Sequence, residues 1–321
     1  RCRQTCLPLW SPISLNSMAG RTSFVRSFLL AQLTMVVYGR KIAKLNSDLV
    51  TTIVGGDPVD PPDKFPWMVA LACLNEAQDQ MTIWCGGSLI TPNFVLSAAH
   101  CDPAKLSECD PGATFVIFSP YVLGGNISKL AMVDTVLLHP SYNDHTLAYD
   151  VMLLKLESTE EDTVPVELSP KDSSLPLGTT CTAVGWGQTG VEEPRSPDLL
   201  QANLDISDAC TAYSAFDPII MMCAGDSDRN ICLGDSGGPL LLAGTSVQYG
   251  ISSFGSDCQF PSGFARISSP AIYDWIQTEI GNAPPPLPPP PPPSPPPPSP
   301  SPTPPEGPPS SSTRAQYISV F

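Results

Sequence analysis

The sequence predicts an all-β body, a barrel or a sandwich, closed by one C-terminal helix. Three observations carry this expectation. Short apolar or β-branched runs recur between residues 53 and 281, and Gly, Pro, Asn and Asp punctuate them at short intervals, as in strands joined by tight turns. Nine of the eleven cysteines are spread through the same stretch, from Cys73 to Cys258, with no C-x-x-C pair among them. That spacing argues against a metal or redox frame and for disulfides formed in an oxidising compartment. Finally, the strand rhythm breaks at 269–280, where apolar residues gather on one helical face.

Taken in chain order, residues 1–52 read as a signal and pro-region. Met18 precedes Arg21 and Arg26, and an apolar run follows over 28–38, well short of the ~20 residues that span a bilayer. Cleavage is expected near Gly39 or Ala43, with residues 1–17 either upstream of the true start or part of a fragment. A plain apolar element inside a pro-region is the alternative. The body, 53–281, is expected to hold strands at 67–74, 87–90, 114–118, 133–138, 151–156, 180–184, 239–242 and 249–254. In the closing helix Pro270 occupies a first-turn position, and Ile272, Trp275, Ile276 and Ile280 share a face. From 282 to 321 the composition changes: of the 27 residues 284–310, 19 are proline. Such a segment cannot pack a core and favours extended polyproline II. Its SPPPP at 294–298 resembles the repeat of hydroxyproline-rich plant and algal wall glycoproteins, which suggests a wall tether; a passive linker is the other reading.

Charge narrows the function. The chain carries a formal −15, but residues 1–52 hold seven Lys/Arg against one Asp, while 53–281 hold eight basic and 29 acidic side chains. A strongly acidic body lacks the basic footprint of a nucleic-acid binder. With 42% hydrophobic residues over 321 positions it can still bury a sizeable core.

Three stretches of the body carry chemistry: VLSAAHC (95–101), YDVMLLKL (149–156) and GDSGGPL (234–240). A serine hydroxyl is a weak nucleophile at neutral pH and needs a neighbouring base. Histidine can take that proton and return it to a leaving amine, and a buried carboxylate can fix the imidazole tautomer. Together, and in this order, the stretches resemble the chymotrypsin/trypsin-like serine proteases over residues 53–281. The resemblance implies two packed six-stranded antiparallel β-barrels with a C-terminal helix. It assigns His100, Asp150 and Ser236 to the triad and the N–H groups of Gly234 and Ser236 to the oxyanion hole. It also implies an acyl-enzyme mechanism without cofactor or metal, protein or peptide substrates, protease inhibitors as further partners, and a secreted, monomeric enzyme. The remaining histidines, His139 and His145, lie in HPSYNDH and are expected to be exposed loop residues.

The same resemblance implies the crosslinks Cys85–Cys101, Cys210–Cys223 and Cys232–Cys258. Cys73 and Cys109 are extra and are expected to form a fourth. Cys181 stands where relatives form another bridge, but Leu242 occupies the partner position, so a buried free thiol is expected. Ile53-Val54-Gly55-Gly56 looks like an N-terminus released on zymogen cleavage, whose ammonium would pair with Asp235. Thr52 stands before that cut, where a trypsin-like activator needs Arg or Lys, so another protease or trimming from a cut near Lys44 is implied. Asn230 falls at the floor of the primary pocket, with Gly255 and Ser262 as walls and Ser253 and Phe254 along the substrate strand. A neutral floor points away from Arg or Lys towards medium or large neutral side chains. Asn126-Ile127-Ser128 is the one N-x-S/T sequon. Two other readings stand beside the enzyme: a wall-associated binding or adhesive protein with an unactivated body, and a pseudoprotease, which the intact triad argues against.

Overall fold

The computed structural model describes residues 53–281 apart from 76–79, 108, 110–111, 119–122, 124–128, 191–192, 257 and 259. The expected signal and pro-region, the proline-rich tail and the sequon at Asn126 lie outside the described residues.

The chain enters through a two-residue strand, β1 (Asp57–Pro58), and then builds a closed barrel. Its strands are β2 (Met68–Asn75), β3 (Gln80–Thr91), β4 (Phe94–Ser97), β5 (Thr114–Phe118), β6 (Leu130–Leu138) and β7 (Met152–Leu156). They pair in the order β2-β3-β4-β7-β6-β5, and β5 returns to β2. From Met68 to Cys73 every residue of β2 is fully buried. Both faces of this strand are covered, so its apolar run is continuous rather than alternating.

A second ring follows. After β8 (Glu167–Leu168) come β9 (Thr180–Gly185), β10 (Leu200–Ser207), β11 (Met221–Ala224), β12 (Pro239–Leu242), β13 (Val247–Phe254) and β14 (Ser262–Arg266). The order β10-β11-β14-β13-β12-β9 closes because β9 also pairs with β10. Strand β1 extends β10, and β8 lies parallel to β13. In β10 the buried Leu200, Ala202, Leu204 and Ile206 alternate with outward side chains, the period of two that a barrel wall with one wet face requires. The fold is therefore the expected pair of six-stranded antiparallel barrels. The helix α1 (Pro270–Gly281) buries Ile272 and Ile276, with Trp275 and Ile280 partly covered.

The barrels are joined by buried hydrogen bonds. Ser88 Oγ donates to Gln248 Oε1 at 2.7 Å, and the Gly86 N–H donates to the Ser236 carbonyl at 2.8 Å. All four expected disulfides are present, Cys73–Cys109 included, each worth typically ~2–4 kcal/mol. Cys181 is a buried thiol on β9, registered against Leu204 and Leu242. Burial, helped by Asp205, pushes its pKa up to about 12.

One expectation is corrected. His145 is exposed, but His139 is only 5% exposed. It follows directly on β6, and its ring stacks on Tyr149 and meets Trp275 of α1 edge-on, so packing overrides the polar neighbours that suggested a loop.

A mature chain beginning at Ile53 should carry one alkylatable thiol that iodoacetamide reaches only after unfolding. Mass spectrometry of native and denatured samples checks this; rapid modification of the native protein would contradict the burial of Cys181.

Candidate active site

Strand β4 ends in the sequence that carries His100. Residues Ala99–Cys101 form a single 3-10 turn, with the Cys101 N–H bonded to the Ala98 carbonyl. The Cys85–Cys101 disulfide and a 2.9 Å bond from Trp84 Nε1 to the Cys101 carbonyl hold that turn against β3. His100 therefore projects from a rigid corner with its side chain 24% exposed.

Asp150 is fully buried just before β7. It meets His100 twice: the backbone N–H donates to Oδ1 at 2.8 Å and ring Nδ1 lies 2.7 Å from Oδ2. A carboxylate offers only lone pairs, so the imidazole proton sits on Nδ1 and Nε2 is left as the basic nitrogen. Ser253 Oγ, from the end of β13, donates to the same Oδ2 at 2.5 Å.

The third motif forms a tight loop between Cys232 and β12. Gly234 has φ 105°, a conformation that disfavours a side chain. A Cβ there would also lie 2.9 Å from Arg195 Nε. Gly237 has φ 77°, and a Cβ on it would come within 2.2 Å of Ser97 Oγ. The loop can therefore press against the first barrel only with glycine at that position. The N–H groups of Asp235, Gly237 and Gly238 are committed to the carbonyls of Cys232, Ser252 and Asp235.

His100 and Ser236 line one cavity of about 470 Å³, together with Ser253, Phe254 and Gly255. Among the described residues no hydrogen bond joins Ser236 Oγ to His100, whose Nε2 lies 3.7 Å from Cys101 Sγ. Asn230 and Ser262 are fully enclosed and form a layer behind the cavity rather than its surface. The Ser262 hydroxyl donates to Asn230 Oδ1 at 2.5 Å, and the Ile231 N–H donates to the same oxygen at 3.0 Å. Among the described residues Asn230 Nδ2 has no hydrogen-bond partner.

Sequence reasoning missed three lining residues, Gln188, Ile231 and Leu233. Ile231 and Leu233 flank Cys232, so the cysteine register could have found them. Gln188 is placed by its N–H bond to the Leu233 carbonyl at 2.8 Å, which no local pattern announces.

Asp235, 1% exposed, accepts from the Gly187 N–H at 2.7 Å and the Cys232 N–H at 2.9 Å. Burial pushes its carboxyl up to about 6, against the pull of those two bonds and of Arg195. Ile53 is fully buried in the core of the second barrel, and the Val54 carbonyl accepts the Asn230 N–H at 3.2 Å.

Comparison with known proteins shows the family. The family model described as Trypsin matches residues 53–276. Serine protease 28 of Mus musculus is 34% identical over 252 residues, covering 71% of this chain and 89% of its own length. A trypsin of Saccharopolyspora erythraea is 32% identical, covering 71% and 98%. A chymase of Cavia porcellus is 34% identical, covering 67% and 86%. The chain belongs to the trypsin family and is a serine endopeptidase.

Proposed function

We propose that the chain is a secreted endopeptidase, activated by cleavage before Ile53, that uses His100, Asp150 and Ser236 to cut after neutral residues. The observation that carries the catalytic assignment is the His100 ring bonded to a buried carboxylate at Nδ1 and sharing one cavity with Ser236. On substrate binding the Ser236–His100 contact tightens, as catalytic hydrogen bonds often do on passing from the free to the bound state. Ser236 Oγ adds to the scissile carbonyl while its proton passes to His100 Nε2. Asp150 stabilises the resulting imidazolium and stays ionised. The Gly234 and Ser236 N–H groups receive the oxyanion. Collapse breaks the C–N bond, and the leaving amine takes the proton from His100. Water then repeats the sequence on the acyl-enzyme, releasing the acid and restoring Ser236.

Activation is proposed to answer the electrostatic demand of Asp235. A new α-ammonium at Ile53, ordinarily titrating near ~8, would give that carboxylate a cation and order the oxyanion loop. Four disulfides are consistent with an oxidising compartment. The proline-rich tail would act as an extended spacer or wall tether.

A fluorophosphonate probe tests the central assignment. Protein beginning at Ile53 should be labelled, and Ser236→Ala should not; absence of labelling in the wild type would refute the catalytic reading.

The uncleaved chain offers a second test. A carboxyl raised from 3.8 to about 6 contributes stability that is full below pH ~3.8 and lost as pH rises through ~6. At neutral pH its burial costs about 3 kcal/mol. Asp235→Asn should therefore stabilise the uncleaved chain at pH 7 and leave it nearly unchanged at pH 3.5. In the cleaved chain it should reduce kcat/KM at least ~100-fold. Denaturant melts and kinetics at both stages check the pair.

Specificity gives a third. Asn230→Asp keeps both acceptor contacts and replaces the unpartnered Nδ2 by an anionic oxygen. It should raise cleavage after Lys and Arg about tenfold or more relative to cleavage after Leu or Phe. A peptide library reads both enzymes; strict Arg/Lys preference in the wild type would overturn the neutral-pocket reading.

A further inference from the structure

We propose that His139 is a positioning residue for the His100–Asp150 pair, acting through Tyr149 and tying that pair to α1. The inference rests on the catalytic roles proposed above.

Asp150 follows Tyr149, which has φ 54°. This left-handed conformation is disfavoured for an aromatic residue, and such a backbone persists only where its surroundings over-determine it. His139 supplies much of that constraint. Its ring stacks on the Tyr149 ring with centroids 4.7 Å apart and planes 10° from parallel. Its edge meets Trp275 at 5.1 Å and 62°. Ring Nδ1 accepts the Ser141 N–H at 3.1 Å, so the ring proton belongs on Nε2, and the Ala271 backbone of α1 favours the protonated ring. The His139 backbone N–H donates to the Val151 carbonyl at 3.0 Å, and the Val151 N–H donates to the Tyr149 carbonyl at 2.7 Å.

His139 thus contacts the residue before Asp150 through its ring and the residue after it through its backbone. Ring Nδ1 is held by the loop after β6, and the ring edge packs on Trp275 of α1. The ring cannot rotate without breaking the Ser141 bond, and the Tyr149 ring cannot move without losing the stack. Burial also lowers the imidazole pKa, favouring the neutral form whose Nδ1 can accept that bond. A histidine that merely filled space would influence stability alone. One that aims Asp150 also influences how strongly the carboxylate supports the His100 imidazolium, and that is visible in kinetics.

The test uses the full chain after activating cleavage, with kcat, KM, the pH dependence of kcat/KM and Tm measured on one peptide substrate. His139→Ala should lower kcat about tenfold, a fraction of the loss that a 1 Å misplacement produces, with KM within about twofold. Its acid limb should move to lower pH, because a poorly aligned carboxylate stabilises the imidazolium less. His139→Gln, which can keep the Ser141 hydrogen bond, and His139→Phe, which can keep the stack, should each retain more activity than alanine. Adding Tyr149→Gly to His139→Ala should recover part of kcat, since glycine holds φ > 0 without a clamp. If His139→Ala fails to fold, the glutamine and phenylalanine variants carry the same readouts.

Unchanged kcat and an unchanged acid limb, whatever happens to Tm, would overturn the proposal. So would failure of Tyr149→Gly to recover any activity. Asp150→Asn separates the two levels: if it leaves kcat intact, the catalytic assignment fails instead, and the question put to His139 falls with it.

Discussion

A carboxylate sealed from water at the meeting of two barrels is the constraint on which the rest of this structure turns. Left alone, Asp150 would carry a desolvation cost of roughly several kcal/mol, and the fold removes it by delivering donors from two directions. The backbone and ring of His100 arrive from the corner after β4, in the first barrel. The Ser253 hydroxyl arrives from the end of β13, in the second, 103 residues after Asp150 itself. Neither barrel can satisfy the charge by itself. Docking of the barrels and orientation of the imidazole are therefore one requirement, and the polar seam of Ser88–Gln248 and Gly86–Ser236 bonds sets the register in which it is met.

Asp235 presents the opposite case within the same molecule. It is as deeply buried as Asp150, but its donors are two backbone N–H groups and no side chain, and burial pushes its carboxyl up. The contrast has a physical basis. Asp150 receives side-chain and backbone partners that are present as soon as the barrels close. Asp235 lies beside Gly185 and Gly187, where a Cβ would strike its carboxylate; this leaves room for little besides main chain. In the proposed activation the missing charge comes from a chain end that must first be created. The second barrel holds an electrostatic demand in reserve, while the first is already satisfied.

The parts of the fold and site that were legible in the sequence are those in which one residue type meets one local requirement. Apolar runs bounded by turn residues located β2, β5, β7, β9 and β12 closely, and the apolar face of 269–280 located α1. The register of β10 was also written, as alternation at Leu200, Ala202, Leu204 and Ile206, but its polar positions diluted the apolar run used to find strands. Strand β14 was hidden by Gly263, its second residue; a Cβ there would collide with the Phe254 ring. Glycine reads locally as a turn, but here it makes room for a neighbouring strand's aromatic ring. Three of the disulfides followed from the family resemblance, and the fourth from Cys73 and Cys109, the two cysteines extra to it. Gln188 and His139 could not be placed, because each owes its role to a partner far away in sequence: Leu233 for one, Tyr149 with Ala271 and Trp275 for the other.

The last of the described elements is bound into the site for the same reason. Helix α1 buries only Ile272 and Ile276 completely, a small apolar anchor for twelve residues, and part of its remaining contact is spent on His139. A helix held this lightly belongs to the low-stability end of a native structure, where local opening precedes global unfolding. Opening it would remove the Ala271 and Trp275 contacts while leaving every strand pairing of both barrels intact. The left-handed backbone at Tyr149 would then keep its intrinsic cost but lose part of what holds it, and Asp150 is the next residue. Barrel closure therefore delivers the donors to Asp150, and in the proposed role of His139 the docked helix adds support to the backbone that aims the carboxylate.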